Sequence, residues 1–157
     1  MDIISIVVPT YNESKYIDDC ILSIKNFDIP KKIEIEIMII DGQSTDNTRE
    51  LIKKYLDKNI RLINNPNRFQ SYAMNIGIKQ SKGNWILRLD AHSIYPKDYL
   101  RNCYETAVNT NADNVGGLVV TLPGNNSFQA KIVQALTTHK FGVGNSGFRV
   151  GMEEGEA

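Results

Sequence analysis

Neither sign of charge is in excess. Lys+Arg and Asp+Glu number 18 each, for a formal net charge of zero. Nothing in that balance draws the chain to nucleic acid or to an anionic membrane surface, and no polybasic cluster does so locally. An anionic ligand would have to be held by a metal, a few cations or backbone donors. Cysteine is nearly absent. Cys20 and Cys103 sit far apart in helix-like stretches, without metal-site or redox-motif spacing, which predicts two buried free thiols in a reducing cytoplasm. No apolar run approaches the ~20 residues that a membrane helix needs, and Met1-Asp2-Ile3-Ile4 lacks the basic region of a signal peptide. The sequons Asn12-Glu13-Ser14 and Asn125-Asn126-Ser127 carry no meaning in a cytoplasmic chain. What remains, 41% apolar and 23% charged residues in 157, is the composition of one ordinary soluble domain with a real core.

The pattern along the chain alternates strand and helix. Ile3 to Val8 is a β-branched run stopped by Pro9 and predicts a buried strand. Ser14 can cap a helix to about Phe27, with Ile17, Ile21, Leu22 and Ile24 on one face. A second strand spans Ile33 to Ile40, followed by a helix capped by Asp46 with Leu51, Ile52, Tyr55 and Leu56 inward. Ile60 to Ile63 is a third strand. Gln70 to Gln80 is helical, and Lys82-Gly83-Asn84 stops it before a fourth, apolar strand, Asn84 to Leu89. Pro96 suits the first turn of another helix, to about Thr106, whose face carrying Tyr99, Leu100, Cys103 and Tyr104 reads as core. A fifth strand is expected from Val115 to Leu122 and a last helix from Phe128 to Thr138. Such alternation implies a mostly parallel α/β sheet covered on both faces. Ligands of these sheets bind beyond the carboxyl ends of the strands, where strand order reverses. An order beginning 3-2-1-4 would place that point between strands one and four.

Three polar strand ends would then share one crevice. After strand one, Pro9-Thr10-Tyr11-Asn12-Glu13 offers an aromatic face for stacking a base and a carboxylate or amide for reading its edge, or else a plain helix-capping turn. After strand two, Asp41 ends an apolar run, where burying its charge is costly without a partner. A base N–H or a ribose hydroxyl would serve. Gly42 allows close backbone approach, and Asp46 reads mainly as a cap, with Thr45 or Thr48 assisting. After strand four, Asp90 and His92, at i and i+2, can point to one side of an extended segment. Such a pair suits a divalent metal or the polar end of a nucleotide.

These segments together resemble the family 2 glycosyltransferases of GT-A fold. The family's Pro-x-Tyr-Asn-Glu loop stands here as Pro9-Thr10-Tyr11-Asn12-Glu13, and its Asp-x-x-Ser-x-Asp segment as Asp41-Gly42-Gln43-Ser44-Thr45-Asp46. Its Ala-Arg-Asn-x-Gly helix stands as Ala73-Met74-Asn75-Ile76-Gly77, and its strand ending in Asp-x-Asp as Gly83 to His92. The resemblance covers residues 3 to about 122. Asp90-Ala91-His92 and Phe141-Gly142-Val143-Gly144 look like the bacterial exopolysaccharide, succinoglycan-type subgroup. Two departures matter. Met74 removes a cation that could meet a diphosphate, with Arg68 and Arg88 as candidate substitutes. His92 replaces the carboxylate that ligates metal in the family. Imidazole can bind Mn²⁺ but is a poorer partner for Mg²⁺, and loses metal on protonation.

The resemblance implies inverting transfer of a sugar from a nucleotide-sugar, foremost a UDP-sugar, to a saccharide or lipid-linked acceptor, with a divalent metal, Mn²⁺ or Mg²⁺, as cofactor. Tyr11 and Asp41 would hold the uracil, with Pro9, Thr10, Glu13 and Ser44 nearby and Arg68 as a cation. Asp90 would take ribose hydroxyls or metal, Ala91 would line the donor site, and His92 would take the metal. No nucleic-acid partner is expected. An acceptor-side base is also required, and no residue presents itself. Asp113 lies in a turn at the wrong end of the sheet, and Glu153, Glu154 and Glu156 belong to a solvated tail. The chain therefore reads as the N-terminal, donor-binding part of a larger catalytic domain. Residues 1–141 form the nucleotide-sugar-binding part, and 142–157 a flexible Gly-rich and acidic tail. Its place is the cytoplasm, or the inner face of the membrane in a full-length protein anchored through regions absent here. The rival reading is a nucleotide-sugar-binding module without transferase activity. A nucleotidyltransferase would want a basic, Gly-rich first loop, which this chain lacks. Gly142-Val143-Gly144-Asn145-Ser146-Gly147 matches a dinucleotide fingerprint by letter only, since it follows a helix rather than a strand. His139 reads as a helix-end residue.

Overall fold

The computed structural model describes residues 2–143 and 149. Its elements are β1 (Asp2–Thr10), α1 (Ile17–Lys25), β2 (Ile33–Asp41), α2 (Thr48–Lys53), β3 (Ile60–Asn64), α3 (Gln70–Gln80), β4 (Trp85–Arg88), α4 (Tyr99–Thr110), α5 (Phe128–Thr138) and α6 (Lys140–Val143). The four strands form one parallel sheet in the order β3-β2-β1-β4. Strand order reverses between β1 and β4, the switch point expected for an order beginning 3-2-1-4.

The centre of the sheet is closed on both faces. Val7, Met38 and Ile40 point to one face and pack with Ala73 of α3. Ile6, Val8 and Ile39 on the other face have no exposed surface, and neither have Ile17 and Cys20 of α1 or Ile52 of α2. Each such aliphatic side chain contributes about 1.5–3 kcal/mol on burial. Leu22 and Leu56, expected inward, are exposed. Cys20 takes the inward position on α1 instead, completing with Ile17, Ile21 and Ile24 the i, i+3, i+4, i+7 stripe that leaves Leu22 outside. At the amino end of the sheet Ser5 donates to Glu36, which also pairs with Arg61 and accepts the Lys82 N–H.

Pro9 does not stop β1. The strand runs to Thr10, with Pro9 opposite Ile40 of β2. It stops β4 instead. Val7 pairs with Arg88, and the Leu89 N–H donates to the Val7 carbonyl at 3.0 Å. In a parallel ladder N–H and C=O of alternate residues point to the same neighbour. The next rung would therefore run from the nitrogen of residue 9 to the Leu89 carbonyl, and proline has no hydrogen to give. β4 ends there, and residues 89–93 leave the sheet.

β4 is also half-exposed rather than buried: Ile86 and Arg88 face solvent. The fifth strand expected at Val115–Leu122 is absent among the described residues. That segment has no regular structure, and Leu118, Val119, Val120 and Leu122 are exposed. β-branched residues favour a strand only where a paired neighbour completes it. The chain divides into two compact units, residues 1–102 and 103–157. In the second, Ser127 caps α5 by accepting from the Ala130 N–H, and His139 closes it, its carbonyl accepting from Gly142 and Val143. Most of the expected tail, with Glu153, Glu154 and Glu156, lies outside the described residues.

Candidate functional site

The loops after β1 and β2 are stitched into one unit. Gly42 N–H donates to the Thr10 carbonyl at 2.8 Å. Asn12, in the left-handed region at φ 55°, gives its N–H to Ser44 Oγ and accepts the Thr45 N–H on Oδ1. Glu13 N–H donates to Thr48 Oγ1 at 2.8 Å. Ser14 does not cap α1. Its N–H goes to Asp46 Oδ2, and the Glu13 carbonyl accepts the N–H groups of Tyr16 and Ile17. Asp46 is not the N-cap of α2, which is Asn47; it stands one residue earlier, and its Oδ1 accepts from both the N–H and the Oγ1 of Thr48. Desolvation would raise its pKa, but the hydrogen bonds from Thr48 and Ser14 together outweigh it and hold the carboxyl at about 2.

Asp41 lies beneath this unit with no exposed surface. The chain supplies the partner that its burial demands. Arg49, on the first turn of α2, pairs with Oδ2, and Ser44 donates its hydroxyl to Oδ1 and its N–H to Oδ2. Sequence reasoning looked to a ligand for this partner and missed Arg49. A cation at a helix N-terminus opposes the helix dipole, and that was the available signal.

Arg68 comes to the crevice with a φ of 62°, its guanidinium 5.7 Å from the Tyr11 ring centroid. A Cβ on Gly42 would lie 2.9 Å from the Arg68 carbonyl oxygen, so this approach requires glycine. Met74 packs against the Val7–Met38–Ile40–Ala73 cluster. It is a partly buried side chain packed on the core where the family pattern has a cation.

Asp90, Ala91 and His92 form a turn rather than an extended segment, with Ser93 N–H donating to the Asp90 carbonyl at 3.2 Å. The turn is held by its backbone. Tyr95 Oη accepts from the Asp90 N–H at 2.7 Å and lies 3.3 Å from its carbonyl, which Cys20 Sγ also approaches at 3.6 Å. Burial, then the charges of Glu13 and Asp90, push the Cys20 thiol up to about 12, so it stands as a neutral donor. Ala91 is buried. The side chains on either side of it are left for other work. Asp90 Oδ1 accepts from Arg88 at 2.9 Å and Gln70 at 3.4 Å, and His92 Nδ1 lies 3.0 Å from Glu13 Oε1. Among the described residues no group of three or more His, Cys, Asp or Glu side chains forms a metal cage. One carboxylate and one imidazole do fit a divalent cation that takes its other ligands from a diphosphate and water.

The structure thus brings Thr10, Tyr11, Glu13, Asp41, Ser44, Asp90 and His92 to the carboxyl edge of β1, β2 and β4, with Arg68 on Tyr11. The family model "Glycosyl transferase family 2" matches residues 5–149. A dolichyl N-acetyl-α-D-glucosaminyl phosphate 3-β-D-2,3-diacetamido-2,3-dideoxy-β-D-glucuronosyltransferase of Methanococcus voltae is 38% identical over 85% of this chain and 44% of its own length. The succinoglycan biosynthesis protein ExoA of Rhizobium meliloti is 33% identical over 93% of this chain and 44% of its own. This chain therefore spans less than half the length of either relative. Among solved structures, TarS residues 1–349 of S. aureus with UDP-GlcNAc superposes with a TM-score of 0.62 at 27% identity, covering 81% of this chain and 39% of that one. The mannosyltransferase PcManGT of Pyrobaculum calidifontis, with GDP-Man and Mn²⁺, gives 0.65 at 25% identity, covering 75% of this chain and 35% of that one. The sheet is a GT-A sheet, and the chain belongs to glycosyl transferase family 2.

Proposed function

We propose that this chain is the donor-binding part of an inverting glycosyltransferase that takes a UDP-sugar and delivers the sugar to a saccharide or lipid-linked acceptor in polysaccharide synthesis. The observation that carries the reading is the meeting of three polar strand ends at the switch point, with Glu13 of the first touching His92 of the fourth. Solved relatives hold UDP-GlcNAc, or GDP-Man with Mn²⁺.

Tyr11, 40% exposed, stacks the uracil, with Arg68 as its cover. Asp41 acts from beneath. It fixes Ser44, whose hydroxyl accepts from Asn12 N–H, so the Tyr11 backbone is held where the ring can stack. Asp90 and His92 hold the divalent cation, with Pro9 and Ala91 as the apolar floor of the donor site. When bound, the cation neutralises charge building on the leaving diphosphate. Arg88, at the end of β4 and paired with Asp90, is a cation available to that charge. The base for the acceptor hydroxyl belongs to residues beyond those described. A module that binds nucleotide-sugar without chemistry is the second reading, favoured by Met74 and His92, which stand where the family pattern has a cation and a carboxylate.

Calorimetry with UDP, GDP, CDP and NAD, with and without Mn²⁺, tests the assignment. Binding of UDP above the others, strengthened by Mn²⁺, is expected. A chain that binds none of the four does not carry a donor site. Sugar release from a UDP-sugar separates enzyme from binding module.

A further inference from the structure

Glu13 and His92 are 79 positions apart, and their side chains join the ends of β1 and β4 across the crevice. Glu13 is presented by an anchored backbone: its N–H is held by Thr48 Oγ1 and its carbonyl by the N–H groups of Tyr16 and Ile17 at the start of α1. Its side chain is 20% exposed, whereas the His92 side chain is 59% exposed. One end of the contact is fixed and the other is open.

An ionised carboxylate only accepts hydrogen bonds. A neutral imidazole 3.0 Å away through Nδ1 must therefore carry its proton on Nδ1, which leaves the electron pair on Nε2. A histidine that ligates metal commonly donates its other N–H to a carboxylate, which fixes tautomer and ring orientation. We propose that Glu13 is a positioning residue: it holds His92 in the Nδ1–H tautomer and presents Nε2 to a divalent cation in the crevice. The proposal rests on the donor-site reading above and gives Glu13 a task other than touching the base. It also accounts for how a chain with an imidazole in place of a carboxylate recovers basicity at that ligand.

The test is spectroscopic. The chain has two histidines, so ¹⁵N-labelled imidazole signals are assigned with one His139→Gln variant. At pH 8.5 metal-free wild type is expected to show His92 as the Nδ1–H tautomer. Glu13→Gln, whose amide oxygen still accepts, keeps that tautomer, and Glu13→Ala reverts to the Nε2–H form usual for free imidazole. Mn²⁺ affinity in the presence of UDP, read by electron paramagnetic resonance, falls tenfold or more in Glu13→Ala and about threefold or less in Glu13→Gln. An Nε2–H tautomer in wild type overturns the proposal, and so does wild-type Mn²⁺ affinity in Glu13→Ala. Metal-free UDP binding on the same samples separates the two ideas. If it is intact, only the role of Glu13 has failed; if wild type does not bind UDP, the donor site fails and the cation role with it.

Discussion

At the scale of the residue, the feature with the largest energetic consequence is Asp41. An acid at the end of an apolar strand stands out in the sequence, and so does the need to compensate its charge. The compensating group does not, because Arg49 reaches it only once α2 has folded back over the strand end. Arg49→Met leaves a carboxylate of zero exposure with Ser44 alone. Removing one partner of a buried pair costs about 3–5 kcal/mol, and a half-exposed arginine places this case near the lower figure. Urea unfolding is expected to show a loss of about 3 kcal/mol. A loss under about 1 kcal/mol would mean that Ser44 carries the charge unaided. Met74 makes the complementary point. Its departure from the family pattern is visible in the sequence, but its place against the core is visible only in the fold.

At the scale of the element, punctuation decides what can be read. The ends of α3 and α5 are legible because polar loops and a Ser cap bound them. The start of α1 is not, since a backbone carbonyl rather than a side chain receives its first N–H groups. β4 is shorter and more exposed than its composition suggests, because its length is set by a neighbouring strand. Ala73 and Gly77, one turn apart in the family's helix motif, serve packing. A Cβ on Gly77 would lie 2.5 Å from Val7 Cγ1 and 3.0 Å from Ile40 Cδ1. In an exposed helix Gly→Ala stabilises by roughly 1 kcal/mol, but overpacking a core costs about 1–3 kcal/mol. Gly77→Ala is therefore expected to destabilise by about 1–2 kcal/mol in chemical denaturation. Any gain in stability would show that α3 is free to lift from the sheet.

At the scale of the molecule, the strand-helix alternation was enough to predict a parallel sheet, because crossover connections restrict the topologies available; its switch point followed only for an order beginning 3-2-1-4, which the fold supplies. It was not enough to place a fifth strand, whose partner no local pattern names. Stability against acid is also a property of the whole. Asp46, held at about 2, and Glu36, lowered by Lys82, Ser5 and Arg61 against its desolvation, both bind protons more weakly folded than unfolded. Their contribution is full above the unfolded carboxylate range, near pH 4, and is lost as pH falls toward the folded values. The melting temperature is expected to drop between about pH 5 and pH 2, and less steeply in Asp46→Asn; equal slopes would remove Asp46 from the account. The missing hydrogen on Pro9 acts at this scale too. Granting that rung would lengthen β4 by two residues, about 6–7 Å, and draw Asp90 into the ladder, out of the turn that aims it. The depth of the proposed crevice is thus set by an imino acid on the adjacent strand, and a redesign meant to deepen or fill it has its control point in the backbone of β1 at position 9 rather than in a polar side chain of the loops.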